Sequence, residues 1–247
     1  MNSYLLYNDD CLNVMYNLIN QGIKVDCVIC DLPYFKVVKN DWDNFWKTET
    51  EYLEWVRKAL CLMCQMLKDN ANIILFTSRQ YNRKICNILD DLGLTEKRII
   101  IWERKRMMNN TRGKSLSSGY EPICYYTRGN DCVFNMLKIK PKTNRKEYTD
   151  GILKDGINLS DVWSDISALP HNSKEKVNHP TQKPLELIKR CVNMFSNEGD
   201  LILDFTMGSG TTGVACHELN RNFIGIELNK EYYNMAKQRI YKDEGLW

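Results

Sequence analysis

Short apolar runs alternate along most of the chain with stretches whose apolar residues recur every three or four positions. Runs of four to eight apolar or β-branched residues predict buried strands, and the 3.6-residue spacing predicts helices that cover them. Strands are expected at Tyr4–Tyr7, Val25–Cys30, Asn72–Thr77, Arg98–Trp102, Asp200–Asp204 and Asn222–Glu227, with a shorter one near the sheet edge at Glu121–Thr127. Leu53, Val56, Leu60, Met63 and Leu67 share one helical face, and Ile85, Ile88, Leu89 and Leu92 share another. Further helices are expected over Pro184–Phe195, from near Gly210, and from the N-cap Asn229 through Met235 to about Tyr241. Alternation of this kind predicts an α/β domain with a mainly parallel sheet covered on both faces.

The pattern weakens in two places. Residues 104–119 are basic, polar and glycine-containing, and read as a mobile loop. From Gly129 to Asn178 periodicity is poor, so this segment reads as an insertion rather than part of the main sheet. The 247 residues fit one domain carrying that insertion.

Composition and charge narrow the setting. No apolar run approaches the ~20 residues that span a bilayer, and Met1-Asn2-Ser3-Tyr4 lacks a signal-peptide layout, so no membrane partner and a cytoplasmic location are expected. Cys27-Val28-Ile29-Cys30 and Cys61-Leu62-Met63-Cys64 both have the CxxC form. The first pair lies in a strand, where positions three apart face opposite ways, and the second on an amphipathic helix. Reduced core cysteines fit better than a metal site, and no metal ligands are assigned. The net charge of +3 hides an asymmetry: residues 98–146 hold twelve Lys or Arg against three acids, +9 locally, so the remainder carries −6. Such a stretch suits a polyanion, and Arg104, Lys105, Arg106, Arg112 and Lys114 are its candidate contacts to nucleic acid.

Two motifs carry the chemistry. Asp31-Leu32-Pro33-Tyr34 closes the strand Val25–Cys30, placing a carboxylate, a proline carbonyl and an aromatic ring where a buried strand meets solvent. That set suits gripping a planar amino group and stacking on the ring that bears it. Gly208-Ser209-Gly210-Thr211-Thr212-Gly213 follows the strand Asp200–Asp204 in the GxGxxG form, and Glu227 stands nineteen residues after Gly208 at the end of the next strand. Glycines admit a close ligand, the helix start offers free N–H groups, and an acid there can accept from ribose hydroxyls. Few residues follow Glu227, so a third strand has to come from elsewhere, and Tyr4–Tyr7 is a suitable piece, with Asp10 and Cys11 just beyond it and Asp10 then in reach of an adenine amino group. The order reads as a nucleotide-binding fold cut and rejoined.

Asp31-Leu32-Pro33-Tyr34, then the basic segment, then His179-Pro180-Thr181-Gln182-Lys183-Pro184, then Asp204-Phe205-Thr206-Met207-Gly208-Ser209-Gly210-Thr211-Thr212 resembles the amino-directed DNA methyltransferases of the permuted beta class. The resemblance runs from about Asn8 to Arg239. It implies S-adenosylmethionine (AdoMet) on a Rossmann-like sheet, mainly parallel with an antiparallel edge and in circularly permuted order. By position it implies cofactor contacts from Asp204, Phe205, Gly208, Gly210 and Thr211, from Glu227 to the ribose, and from Asp10 and Cys11 near the adenine ring. Thr181 and Lys183 fall in the segment that meets the cofactor's methionine part, and Asp31 borders the same space. Asp31 and Pro33 would accept from the target amine and Tyr34 would stack on the base, which must leave the duplex to be reached. Two details stand apart. Leu32 replaces the family's usual proline, and Asp31 in first place resembles the adenine-N6 more than the cytosine-N4 enzymes, which typically begin with serine. Cytosine-C5 chemistry is disfavoured because no cysteine follows a proline.

The implied partner is double-stranded DNA, with residues 129–178 as the source of sequence choice. A homodimer and a restriction endonuclease partner stay open. Phe35, Trp42, Phe45 and Trp46 follow the pocket and can either close over it or pack in the core. The alternatives are a cytosine-N4 enzyme, a methyltransferase acting on RNA or protein, and a nucleotide-binding protein without methyl transfer.

Overall fold

The computed structural model describes residues 3–36, 45–108, 116, 118–139, 156–170 and 172–241. Its strands are β1 (Tyr4–Tyr7), β2 (Val25–Asp31), β3 (Leu67–Phe76), β4 (Thr95–Met108), β5 (Ser118–Thr127), β6 (Lys138–Ile139), β7 (Ile157–Asn158), β8 (Val162–Trp163), β9 (Leu201–Asp204) and β10 (Asn222–Ile226). Its helices are α1 (Cys11–Asn20), α2 (Glu49–Met66), α3 (Asn82–Asp91), α4 (Leu185–Phe195), α5 (Thr211–Glu218) and α6 (Lys230–Ile240). Eight strands form one sheet in the order β1-β10-β9-β2-β3-β5-β4-β8. All neighbours are parallel except where β5 meets β3 and β4, so the antiparallel strand lies toward one edge with β4 and β8 beyond it.

Burial on both faces explains the near-continuous apolar strands. Along β2, Val28 and Cys30 join the core half shared with α1, α2 and α3, while Cys27 and Ile29 join the half shared with α4, α5 and α6. The two cysteines of the first CxxC therefore point to opposite faces, as strand geometry demands. All ten cysteines are unbridged.

The sheet's connections place the site. From β9 the chain moves outward to β10 on one side, and β1 adds beyond it in register with Tyr4 opposite Phe223 and Tyr7 opposite Ile226. From β2 it moves to β3 on the other side. The order thus reverses between β9 and β2, which lie side by side with Cys27 opposite Ile202 and Val28 opposite Leu203. Ligands of open α/β sheets sit beyond the carboxyl ends of the strands at such a switch point. Here those ends are Asp204 and Asp31.

Two regions depart from the sequence reading. The segment 104–119 is not wholly loop, because β4 continues to Met108 and β5 opens at Ser118; residues 109–115 and 117 lie outside the described residues. The segment 129–178 is not wholly separate from the main sheet: β8 pairs with β4, Ile101 opposite Val162 and Trp102 opposite Trp163. Leu159, Trp163 and Ile166 are buried there, and Trp102 Nε1 donates to the Ile166 carbonyl at 2.8 Å. Three apolar anchors in a polar stretch are too few to show a period. Among the described residues, no helix is long and apolar enough to cross a membrane.

Candidate active site at the switch point

A cavity of about 370 Å³ opens over the ends of β9 and β2. Of the residues singled out from sequence, Asp10, Cys11, Asp31, Pro33, Tyr34, Thr181, Lys183, Asp204, Phe205, Gly208, Thr211 and Glu227 all line it. Gly210 does not. It adopts φ 77° as the N-cap of α5, and a Cβ there would lie 2.7 Å from the Ala236 Cβ and 2.9 Å from its Cα. Its glycine requirement comes from the seating of α6 against the loop.

On the glycine-loop side, three acids hold backbone as well as facing the cavity. Glu227 accepts from the N–H of Gly208 at 2.9 Å and of Asn229 at 2.8 Å, and burial raises its carboxyl above the usual range. Asp10 caps α1, accepting from Leu12 N–H at 2.7 Å. Asp204 accepts from the Thr212 hydroxyl at 2.7 Å and from Thr206 N–H at 3.3 Å. Burial pushes the Asp204 carboxyl up to about 7, against those two hydrogen bonds. His179 packs edge-on to Tyr232, ring centroids 4.6 Å apart, and a Cβ at Gly208 would come within 3.0 Å of its Nε2. Burial first, then Lys183 and Arg239, lower His179 to about 4, so the ring is neutral near pH 7.

The Asp204 shift carries a stability consequence with a definite sign. Between the unfolded carboxylate value near 4 and the folded value near 7, the unfolded chain releases its proton first. Stability is therefore fully present below the lower value and falls as pH rises through the upper one. The melting temperature of the wild type should drop relative to Asp204→Asn between about pH 5 and pH 8. A constant offset across that range would show that the group does not titrate there.

Thr206 ties the two ends together, and sequence reading passed over it although it sits inside the glycine-loop motif. Its hydroxyl donates to the Asp31 carbonyl at 2.9 Å and lies 3.0 Å from Cys30 Sγ. Leu32 also gains a reason. Its side chain is buried in the core and its N–H donates to the Phe76 carbonyl at 3.2 Å, a bond that a proline cannot make. The Pro33 carbonyl accepts from the Tyr52 hydroxyl at 3.0 Å and has a second lone pair to offer.

Around Asp31 lies a charged cluster that the motifs do not reveal. Lys183 Nζ donates to Asp31 Oδ2 at 2.6 Å and stands 3.3 Å from Glu121 Oε2. The Tyr34 hydroxyl donates to Asp31 Oδ1 at 3.1 Å, with Glu121 Oε2 at 3.4 Å. Arg104 Nη1 closes the set at 3.0 Å from Glu121 Oε1. Burial raises the Asp31 carboxyl; Lys183 opposes that and Glu121 reinforces it. Burial disfavours the Lys183 charge, yet the two carboxylates outweigh it and the ammonium is held above its ordinary value. Lys183 does pair with carboxylates as its type suggests, but in this structure they are the protein's own.

The remaining candidates separate. Arg104 is engaged with Glu121 instead of standing free for phosphate, whereas Lys105 is exposed, at φ 52°. Arg106 lies in β4, and Arg112, Lys114 and Trp42 fall outside the described residues. Phe35 stacks on Tyr52 in the core; Trp46 is buried against Tyr52 and Trp55 and also lines the cavity, as does the exposed Phe45.

Comparison with known proteins points the same way as this geometry. A family model described as DNA methylase, for N6 and N4 methyltransferases, matches residues 25–238. Type II methyltransferase M.HpaI of Haemophilus parainfluenzae is 34% identical over 238 residues, covering 93% of this chain and 73% of that protein. Type II methyltransferase M1.MboII of Moraxella bovis is 29% identical over 252 residues, covering 94% of each. Among solved structures, the M1.HpyAVI–SAM complex superposes with a TM-score of 0.66 at 28% identity, over 96% of this chain and 99% of that one.

Proposed function

The chain belongs to the N6/N4 DNA methylase family, and on that premise we propose that it transfers a methyl group from AdoMet to the N6 amine of an adenine flipped out of double-stranded DNA. The carrying observation is the meeting of Asp31 and the glycine loop in one cavity, bridged by Thr206. The donor set fits the cofactor: a half-buried acid just past β10 that holds Gly208 N–H, a second acid, Asp10, lining the same cavity, and a volume suited to a small ligand. Glu227 would hold the ribose hydroxyls and Asp10 the adenine end, with Thr181 lining the same cavity. AdoMet, when bound, supplies an electrophilic methyl on a sulfonium.

An exocyclic amine on a base is a poor nucleophile because its lone pair is delocalised into the ring. Asp31 and the Pro33 carbonyl, accepting its two hydrogens, favour a pyramidal nitrogen whose lone pair is free. Asp31 then holds the proton released on transfer. Positioning and directed charge supply the acceleration, and no covalent intermediate on the protein is needed. Tyr34 provides the ring face against which the extruded base stacks, returning ~1–3 kcal/mol of the flipping cost. Aspartate in first place favours adenine, and cytosine N4 is the second reading, since the same acceptors would serve its amine. Transfer of labelled methyl into DNA, followed by nucleoside mass spectrometry, tests this. N6-methyladenine is expected; N4-methylcytosine would establish the second reading, and label in neither would overturn both.

A further inference from the structure

Asp31 already accepts from two side chains, Lys183 on Oδ2 and Tyr34 on Oδ1. A carboxylate whose charge is matched by an ammonium at 2.6 Å is a weaker acceptor for a neutral amine. Both donors already face one other acceptor, Glu121 Oε2, at 3.3 and 3.4 Å. Glu121 is buried on β5, and Arg104 fixes its other oxygen. Neither donor needs more than a side-chain adjustment to pass from one carboxylate to the other. Two acids and two bases make the cluster neutral as a whole, so the exchange leaves no net charge stranded in a buried site.

We propose that Glu121 is a positioning residue for methyl transfer: anchored by Arg104, its carboxylate draws Lys183 and Tyr34 off Asp31 when the target amine arrives. Asp31 is then free to grip the amine. This rests on the amine-methylating reading and adds to it a residue that touches neither substrate nor cofactor. It also assigns Arg104, first read as a nucleic-acid contact, to anchoring Glu121.

The test is a double-mutant cycle read as the single-turnover rate of methyl transfer into DNA at saturating AdoMet. In the wild-type background, Glu121→Gln should slow transfer about tenfold or more, because, among the described residues, Asp31 is then the one carboxylate left beside Lys183. In the Lys183→Met background, the same change should cost clearly less, since only the Tyr34 hydroxyl is left to draw away. A loss of equal size in both backgrounds would mean that Glu121 merely supports the fold and would overturn the proposal, as would a wild-type rate in Glu121→Gln. The wild-type reaction is measured in the same assay. Its absence would count against the function itself, separately from the role of Glu121.

Discussion

Asp31→Ala should lower methyl transfer by about 10³-fold while changing AdoMet affinity no more than about threefold. The size follows from what is removed, a carboxylate that stands at the switch point and lines the cavity together with Pro33. The selectivity follows from what remains, because Glu227, Asp10 and Asp204 hold the glycine-loop side through contacts of their own. The fold should survive, since Glu121 stays beside Lys183 and keeps a buried ammonium paired. Asp31→Asn separates shape from charge: it fills the same space, and its activity should lie near that of the alanine variant. Transfer within tenfold of wild type in Asp31→Ala would exclude this carboxylate from the chemistry.

Gly210→Ala should cause the largest loss of stability among single-methyl additions near the site. Two effects act together. A left-handed backbone at φ 77° costs a non-glycine residue about 1–3 kcal/mol, and the added Cβ collides with Ala236, backbone included. Overpacking of that kind adds about 1–3 kcal/mol. For a domain of this size the sum corresponds to a fall in melting temperature of roughly 5–15 °C, readable by calorimetry. Because Gly210 does not line the cavity, AdoMet affinity should weaken only through displacement of α6 and the loop. An unchanged melting temperature would mean that α6 moves aside freely.

The frame was legible because fully buried strands advertise themselves. β2 and β9 are mainly apolar runs ending in Asp31 and Asp204, β10 is an apolar run followed by Glu227, and the buried half of β3 is apolar from Ile73 to Phe76. Asn229 caps α6 through Glu231 and Tyr232 as its type suggests. Even the placing of Tyr4–Tyr7 beside the strand that leads to Glu227 was readable, from a short apolar run followed by an acid. Other features carry no local signal. Glu121 lies 62 residues from Lys183 and 90 from Asp31; the order β2-β3-β5 brings Asp31 near Glu121, and Lys183 joins them from the segment just before α4. A charge count could not tell that Arg104 spends its charge on Glu121. Gly210 looks like a ligand-facing glycine because packing against a helix and approach to a ligand demand the same missing Cβ. β8 consists of two residues, too short for any period to show.

The most direct test is a crystal structure of the protein with a non-reactive AdoMet analogue and a DNA duplex containing its target. The expected result is an adenine turned out of the helix, its N6 within about 3 Å of the Asp31 carboxylate and the Pro33 carbonyl, facing the analogue seated along Gly208 and Glu227. An adenine still stacked in the duplex, or an extruded base whose amine lies outside hydrogen-bond reach of Asp31, would contradict it.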